Sequence, residues 1–211
     1  SSTVQCVVNG NYHNRTQDSF RSNPRKIFNF HADEDDAEVI EYLYSLPHKN
    51  LRDKAKWALG IVTGNNKKYC RDTPSNSHVP IYRGGDISKN RIAPPARFLL
   101  DDFSRFQQVA PMELYEAPSK LVYKFISSEL CFAHDTNQRL FLNSANILIP
   151  RSDFPVSPDN LCAILNSNLL SWFFETLFRT HKVLRADLEA LPLHVRYFDT
   201  HHAFDEELYL S

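Results

Sequence analysis

The sequence predicts an α+β fold, a small β-rich body followed by helices, with one further helix near the N-terminus. Three observations carry this. Helical spacing is confined to residues 33–46 and to the segment after residue 158, while period-two segments lie between them. That order is helix, several strands, then helices, and it argues against the alternation of a parallel βαβ sheet. Twelve prolines punctuate the 211 residues, and no internal repeat is present.

In chain order, Val4, Val7 and Val8 suggest a short strand, followed by polar residues and the apolar stretch Ile27–Phe30. Residues 33–46 form a predicted helix. Asp33 or Asp35 caps it, acids crowd its first turn, Val39, Leu43 and Leu46 share a face, and Pro47 ends it. Residues 51–62 finish in the apolar run Trp57–Val62, and Thr63-Gly64-Asn65-Asn66 is a predicted turn. A new element starts at Lys67–Cys70, residues 71–78 are polar loop, Val79–Arg83 is a strand, and Gly84-Gly85-Asp86 turns it. Residues 88–119, with Pro94, Pro95, Pro111 and Pro118, read as an irregular excursion. Strands are expected at 120–126, 130–133, 139–142 and 146–149, with a turn at 134–138. After Pro150, Pro155 and Pro158, Asp159 is expected to cap one helix over 160–178. A shorter helix at 183–190 stops at Leu191-Pro192, and the acidic tail from Phe198 is helical.

Composition narrows the function. Apolar residues make up 42% and charged residues 23%, ordinary for a globular protein, and no apolar run reaches the roughly 20 residues a membrane helix needs. Residues 1–10 lack the pattern of a signal peptide, so a cytoplasmic chain with no membrane partner is expected. Cys6, Cys70, Cys131 and Cys162 are far apart, which disfavours a zinc knuckle and suits free thiols in a reducing compartment. The only methionine is Met112, so the chain is expected to be a piece of something longer.

Charge is uneven although the total is −1. Residues 31–48 carry six acids and no Lys or Arg. Residues 49–97 carry eleven Lys and Arg against Asp53, Asp72 and Asp86. A phosphate backbone responds to such a patch and not to the sum; a solvated surface with compensating neighbours is the bland alternative.

The sequence carries none of the common catalytic patterns. Four of the five glycines lie between Gly60 and Gly85, and neither a G-x-G-x-x-G nor a P-loop pattern occurs. Pro158-Asp159 is not followed by the acid-x-Lys of a restriction-type nuclease. Pro94-Pro95 lacks the Asn or Asp and the aromatic residue of an adenine methyltransferase motif. No G-x-S-x-G elbow is present. His201, His202 and Asp205 lack metal-site spacing and read as a solvated tail. No catalytic residue, metal or cofactor is therefore assigned to this chain. Binding chemistry remains: Lys67 and Lys68 follow the Gly-Asn-Asn turn, and Arg83 precedes the Gly-Gly turn with Lys89 and Arg91 just beyond. Ammonium groups in exposed turns approach phosphates with little desolvation, and arginine bridges guanine O6 and N7. Tyr69, Tyr82 and Tyr123, interleaved among them, read as core aromatics.

Five segments in order, Trp57–Tyr69, Ile81–Ile87, Lys120–Phe125, Leu161–Ser167 and Leu188–Pro192, resemble the TaqI-like C-terminal specificity domain, which follows the catalytic domain in many N6-adenine DNA methyltransferases and combined restriction-modification enzymes. The resemblance spans about residues 51–195. It implies a small, twisted, β-rich target-recognition body followed by helices, with residues 51–211 forming that domain and residues 1–50 a linker or the trailing end of a catalytic domain. It implies that the chain reads double-stranded DNA of a bacterial restriction-modification system. A methyltransferase domain of the same parent would use S-adenosylmethionine; this piece would hold no cofactor. The resemblance gives the cations roles. The Thr63–Lys68 turn would offer backbone N–H groups and two ammonium groups to phosphates, and the Gly84-Gly85 turn would bring backbone close to DNA. Lys120 and Lys124 share one strand parity and would face DNA together. Arg139 and His134, at a hairpin tip, are candidate base readers. Asn166-Ser167, inside an apolar helix, reads as structural. Two rivals stand beside this: a protein-interaction module that docks a catalytic domain without touching DNA, favoured by the acidic helix and tail, and a hydrolase built on His and Asp groups.

Overall fold

The computed structural model describes residues 2–8, 10–21 and 23–211. Its strands are β1 (Thr3–Val8), β2 (Asn11–Thr16), β3 (Ala55–Leu59), β4 (Cys70–Arg71), β5 (His78–Ile81), β6 (Ile87–Ser88), β7 (Arg91–Ile92), β8 (Arg97–Leu100), β9 (Lys120–Lys124), β10 (Phe132–Asp135) and β11 (Ala145–Pro150). Its helices are α1 (Glu34–Ser45), α2 (Asn66–Tyr69), α3 (Met112–Tyr115), α4 (Pro158–Leu165), α5 (Asn168–Phe178), α6 (Arg185–Leu188) and α7 (Glu206–Leu210). The α+β class and the N-terminal helix are as expected.

The frame is a four-stranded antiparallel sheet in the order β10-β9-β11-β3. Both of its faces are covered. Leu121 and Tyr123 of β9, Phe132 of β10 and Leu148 of β11 face one core, filled from the helices by Ile40, Leu43, Leu161, Leu165, Phe173 and Phe174. Val122, Ala133, Ala145 and Ile147 face a second core with Ile61, Ile81, Leu99, Tyr115 and Phe141. Alternate residues of β9, β10 and β11 therefore enter opposite cores, while the edge strand β3 exposes Lys56. The first core includes Ile40 and Leu43 of α1, so it is continuous across the expected boundary at 50/51.

The second core is roofed by a three-stranded sheet, β4-β8-β5, and by the β6–β7 hairpin. Here the structure differs from the sequence reading. Residues 97–100 are not irregular; they form the central strand of that roof. The rest of the excursion folds back, with Val62 and Gln108 exchanging backbone hydrogen bonds and the buried Tyr115 hydroxyl donating to Leu59 O at 2.9 Å. Residues 139–142 form single bridges to Tyr82 and Ile61 instead of a strand. β10 runs on through His134 and Asp135, which were expected in the turn.

The expected helix 160–178 is two helices bent by 56°. Ser157, not Asp159, caps α4, accepting from Asn160 N, and Asp159 lies in the first turn. Asn166 ends α4 and Ser167 caps α5 by accepting from Leu170 N. This bears out the structural reading of Asn166-Ser167 and explains the break: a capping serine starts a second helix where the apolar spacing runs on uninterrupted. No single helix among the described residues is long and apolar enough to cross a membrane; the bent pair is apolar because it fills the first core.

Candidate nucleic-acid interface

Of the eleven cations in residues 49–97, four have an acid within salt-bridge reach: Lys54 with Asp153, Arg83 with Asp86, Lys89 with Glu129 and Arg97 with Asp72. The other seven, Lys49, Arg52, Lys56, Lys67, Lys68, Arg71 and Arg91, are all exposed and have no such partner among the described residues. Salt bridges therefore compensate only four of the eleven cations, while Lys56 shares a groove with Asp53, Glu113 and Asp153.

Lys67 and Lys68 stand on α2, a single turn capped by Asn65, which accepts from Lys68 N. The turn is wound tightly. Asn65 N donates to Thr63 Oγ1 at 3.1 Å, and the Lys68 and Tyr69 N–H groups donate to Asn65. The N–H groups of Asn65, Lys68 and Tyr69 are thus spent internally, and the two ammonium groups stand on the same turn, one of them over the Tyr69 ring. Cys70 follows directly. Burial raises its thiol pKa against the opposing pull of Arg97 and Arg83, which places both guanidinium groups within electrostatic reach of the end of α2.

Arg83 is half-exposed and leans on Asp86 at 3.5 Å. The glycine beside it has a different use from the expected one. A Cβ on Gly84 would meet Ser144 O at 2.3 Å, so this glycine lets two protein segments touch; Gly85 faces open space. Lys89 lies 3.3 Å from Glu129 and 3.3 Å from Ser171. Lys124 joins it near Cys131, whose thiol burial raises while both lysines oppose the shift. Arg91 is exposed on β7.

Lys120 is a correction. It shares strand parity with Lys124, as expected, yet its side chain is 0% exposed. That parity points into the second core, where Nζ lies 2.7 Å from Asp135, itself 0% exposed, and donates to Tyr115 O. Arg139 is drawn into the same knot. Its NH1 lies 2.7 Å from Asp135, its backbone N–H donates to the other carboxylate oxygen at 2.8 Å, and its guanidinium lies over Tyr82 at 5.6 Å. Burial opposes ionisation of Asp135, but the hydrogen bond and charge of Lys120, then those of Arg139, outweigh it and hold the carboxyl below its ordinary value. Neither Lys120 nor Arg139 offers a free charge to a phosphate. The sequence signal that would have shown this is an acid at 135, opposite Lys120 in the β9–β10 register.

His134 is also tethered, its ring nitrogens 2.8 Å from Ser119 Oγ and 2.6 Å from Asp159 Oδ1. The order is that of a hydrolytic serine triad, which sequence reasoning missed. Asp159, however, keeps 78% of its side chain exposed, so water competes for its bond to the imidazole. The contact ties the entry of β9, the strand β10 and the start of α4. In the tail, His201 stacks on Tyr197 at 4.3 Å and Asp205 caps α7.

Residues 79–193 match the TaqI-like C-terminal specificity domain. The type II methyltransferase M.VspI of Vibrio sp. (strain 343) is 49% identical over 84 residues, 40% of this chain and 21% of that protein's own length. The match thus spans about a fifth of that relative's length. Among solved structures, the HsdS subunit from Thermoanaerobacter tengcongensis aligns with 74% of this chain and 39% of its own, at 15% identity and a TM-score of 0.38.

Proposed function

The chain belongs to the TaqI-like C-terminal specificity domain family, and on that premise we propose that it is the DNA-reading part of a methyltransferase whose chemistry is done by another domain. The observation that carries the reading within this molecule is the set of exposed cations that make no salt bridge among the described residues. Lys67, Lys68, Arg71 and Arg91 stand on the roof over the second core, with Arg83 and Lys89 beside them in loose pairs that a phosphate can enter. Neutralising phosphates there releases counterions and fixes the register of the domain on the duplex; sequence is then read at base edges. Residues 51–211 form the reading unit, and residues 1–50 join it to the catalytic part. The relative is named a methyltransferase, which supports a parent that transfers a methyl group; we take DNA as its substrate and S-adenosylmethionine, held outside this chain, as its donor. Adenine chemistry of this kind needs the base flipped out of the duplex, a task for the catalytic domain.

Binding of the full chain to a duplex, followed between about 50 and 300 mM salt, tests this, because affinity should fall steeply with salt. Replacing Lys67, Lys68, Arg71 and Arg91 by Ala should lower the log–log salt slope by roughly 0.9 for each cation that held a phosphate. An unchanged slope in that variant removes this face from the interface. Salt-independent binding by the parent chain removes the phosphate role altogether.

A further inference from the structure

We propose that the turn Thr136–Gln138 reads an adenine base edge, with Asn137 and Gln138 as the contacting residues and the buried Lys120–Asp135–Arg139 knot as its positioning device. The inference rests on the DNA-reading function above and names residues that function had left unassigned.

The knot is the first observation. A fully buried ion pair returns little net stability, because desolvating both ions offsets their attraction. This one is spent on geometry. Beyond Lys120, the Asp135 carboxylate accepts from Asn137 N at 3.1 Å, from Arg139 N at 2.8 Å and from the Arg139 guanidinium at 2.7 Å. One buried anion thus fixes both ends of a turn whose three residues are all exposed. Gln138 is held at φ 54°, a left-handed conformation that a residue with a side chain adopts when its surroundings impose it.

The second observation is what the turn presents. With its oxygen toward Arg139, the Asn137 carboxamide accepts from both guanidinium NH2 groups at 2.9 Å, which leaves its own NH2 facing outward. Gln138 is tied the other way: its Nε2 donates to Glu116 O, and its oxygen is left outward. The turn therefore shows one fixed donor and one fixed acceptor. In the major groove adenine shows the complement on a single base, the N7 acceptor beside the N6 donor, whereas a G·C pair shows it only across two bases, at guanine O6 and cytosine N4. The knot sets two cations, Lys120 and Arg139, against one carboxylate, so one net positive charge remains behind the turn while the two amides face the bases. A groove of about 340 Å3 runs between this turn and β5, floored by Tyr82, the residue before Arg83.

The test is selection of binding sites by the full chain from a randomised DNA duplex library, with the double variant N137A/Q138A alongside. The parent chain should enrich a consensus containing at least one A·T pair. The double variant should lose about tenfold preference at one such pair, the value of one base-edge contact, while keeping the other positions, the salt slope and the melting temperature. The variant N137D, which turns the outward donor into an acceptor, should shift preference at that same pair. An unchanged consensus in both variants overturns the assignment, and so does a loss spread evenly over all positions. The DNA-reading function fails separately, by the parent chain showing no salt-dependent binding to any duplex. If the chain binds salt-dependently but enriches no consensus, that function keeps its phosphate half and this assignment falls.

Discussion

Lys120 and Lys67 carry the same charge, and the fold treats them in opposite ways. Lys120 is sealed between a carboxylate and a carbonyl in the second core, with no exposed surface. Lys67, on the roof over that core, meets only water. The buried region gathers Lys120 and Arg139 around one carboxylate and uses the contact to hold a turn. The roof leaves its exposed cations without salt bridges. A lysine's meaning here depends on whether its element is covered on both sides, as β9 is around Lys120, or open to solvent, as α2 is at Lys67.

The contrast can be broken most sharply at Asp135. Asp135→Ala leaves Lys120 buried without a counterion and should cost about 3–5 kcal/mol in urea unfolding. Lys120→Met, which fills the volume and leaves Asp135 with Arg139, should cost much less; equal losses would mean that the pair is not the anchor of the turn. The pH behaviour has a defined sign. The folded-state value of Asp135 is depressed, so its contribution is present above the ordinary aspartate range and is lost only as pH falls below about 4.

Next in size is the glycine pair. Gly84→Ala drives a methyl group into Ser144 O and should destabilise by roughly 1–3 kcal/mol, whereas Gly85→Ala, facing open space, should stay within about 0.5 kcal/mol. Thermal melts of the two variants decide whether the turn is built for packing, as the contact indicates, or for close approach of DNA.

A smaller effect belongs to His194. Burial, with a further push from His48, lowers its pKa below the ordinary 6.5, against a backbone hydrogen bond from the Pro47 side. The folded state then favours the neutral ring, so stability is full above that value and declines as pH falls through it toward the lower folded-state value. Denaturant midpoints at pH 7.5 and 5.5 should show the decline, and His194→Gln should flatten it. The smallest effect on folding is expected from Lys67, Lys68, Arg71 and Arg91 together. Each replacement by Ala should change stability by no more than about 0.5 kcal/mol while DNA binding weakens. A large loss of stability from these four would erase the distinction between the two regions.

Much of this was legible in the chain. Asp33, the acids after it and the spacing of apolar residues mark α1 to within a residue at each end, because a cap and a face are local properties. Strand β8 was hidden because Arg97-Phe98-Leu99-Leu100 follows two prolines and its partners come from residues 70–81. The break at Asn166 was hidden because apolar positions continue in phase across it. For the binding cations, segment and charge were readable, and parity correctly grouped Lys120 with Lys124. Inside and outside were not readable, since that depends on a second core assembled from segments as distant as Ile61 and Phe141.

Asn166 has one more consequence. β10 is an edge strand, and the Asn166 carboxamide pairs with both the N–H and the C=O of Phe132, at 2.8 and 3.0 Å, while Asn90 N adds a bond to the same carbonyl. A side chain thus stands in for a neighbouring strand, occupying backbone groups that would otherwise invite another chain to pair. The helix break that places this amide is therefore also a guard against aggregation, and Asn166→Ala is expected to show itself first as self-association in concentrated solution.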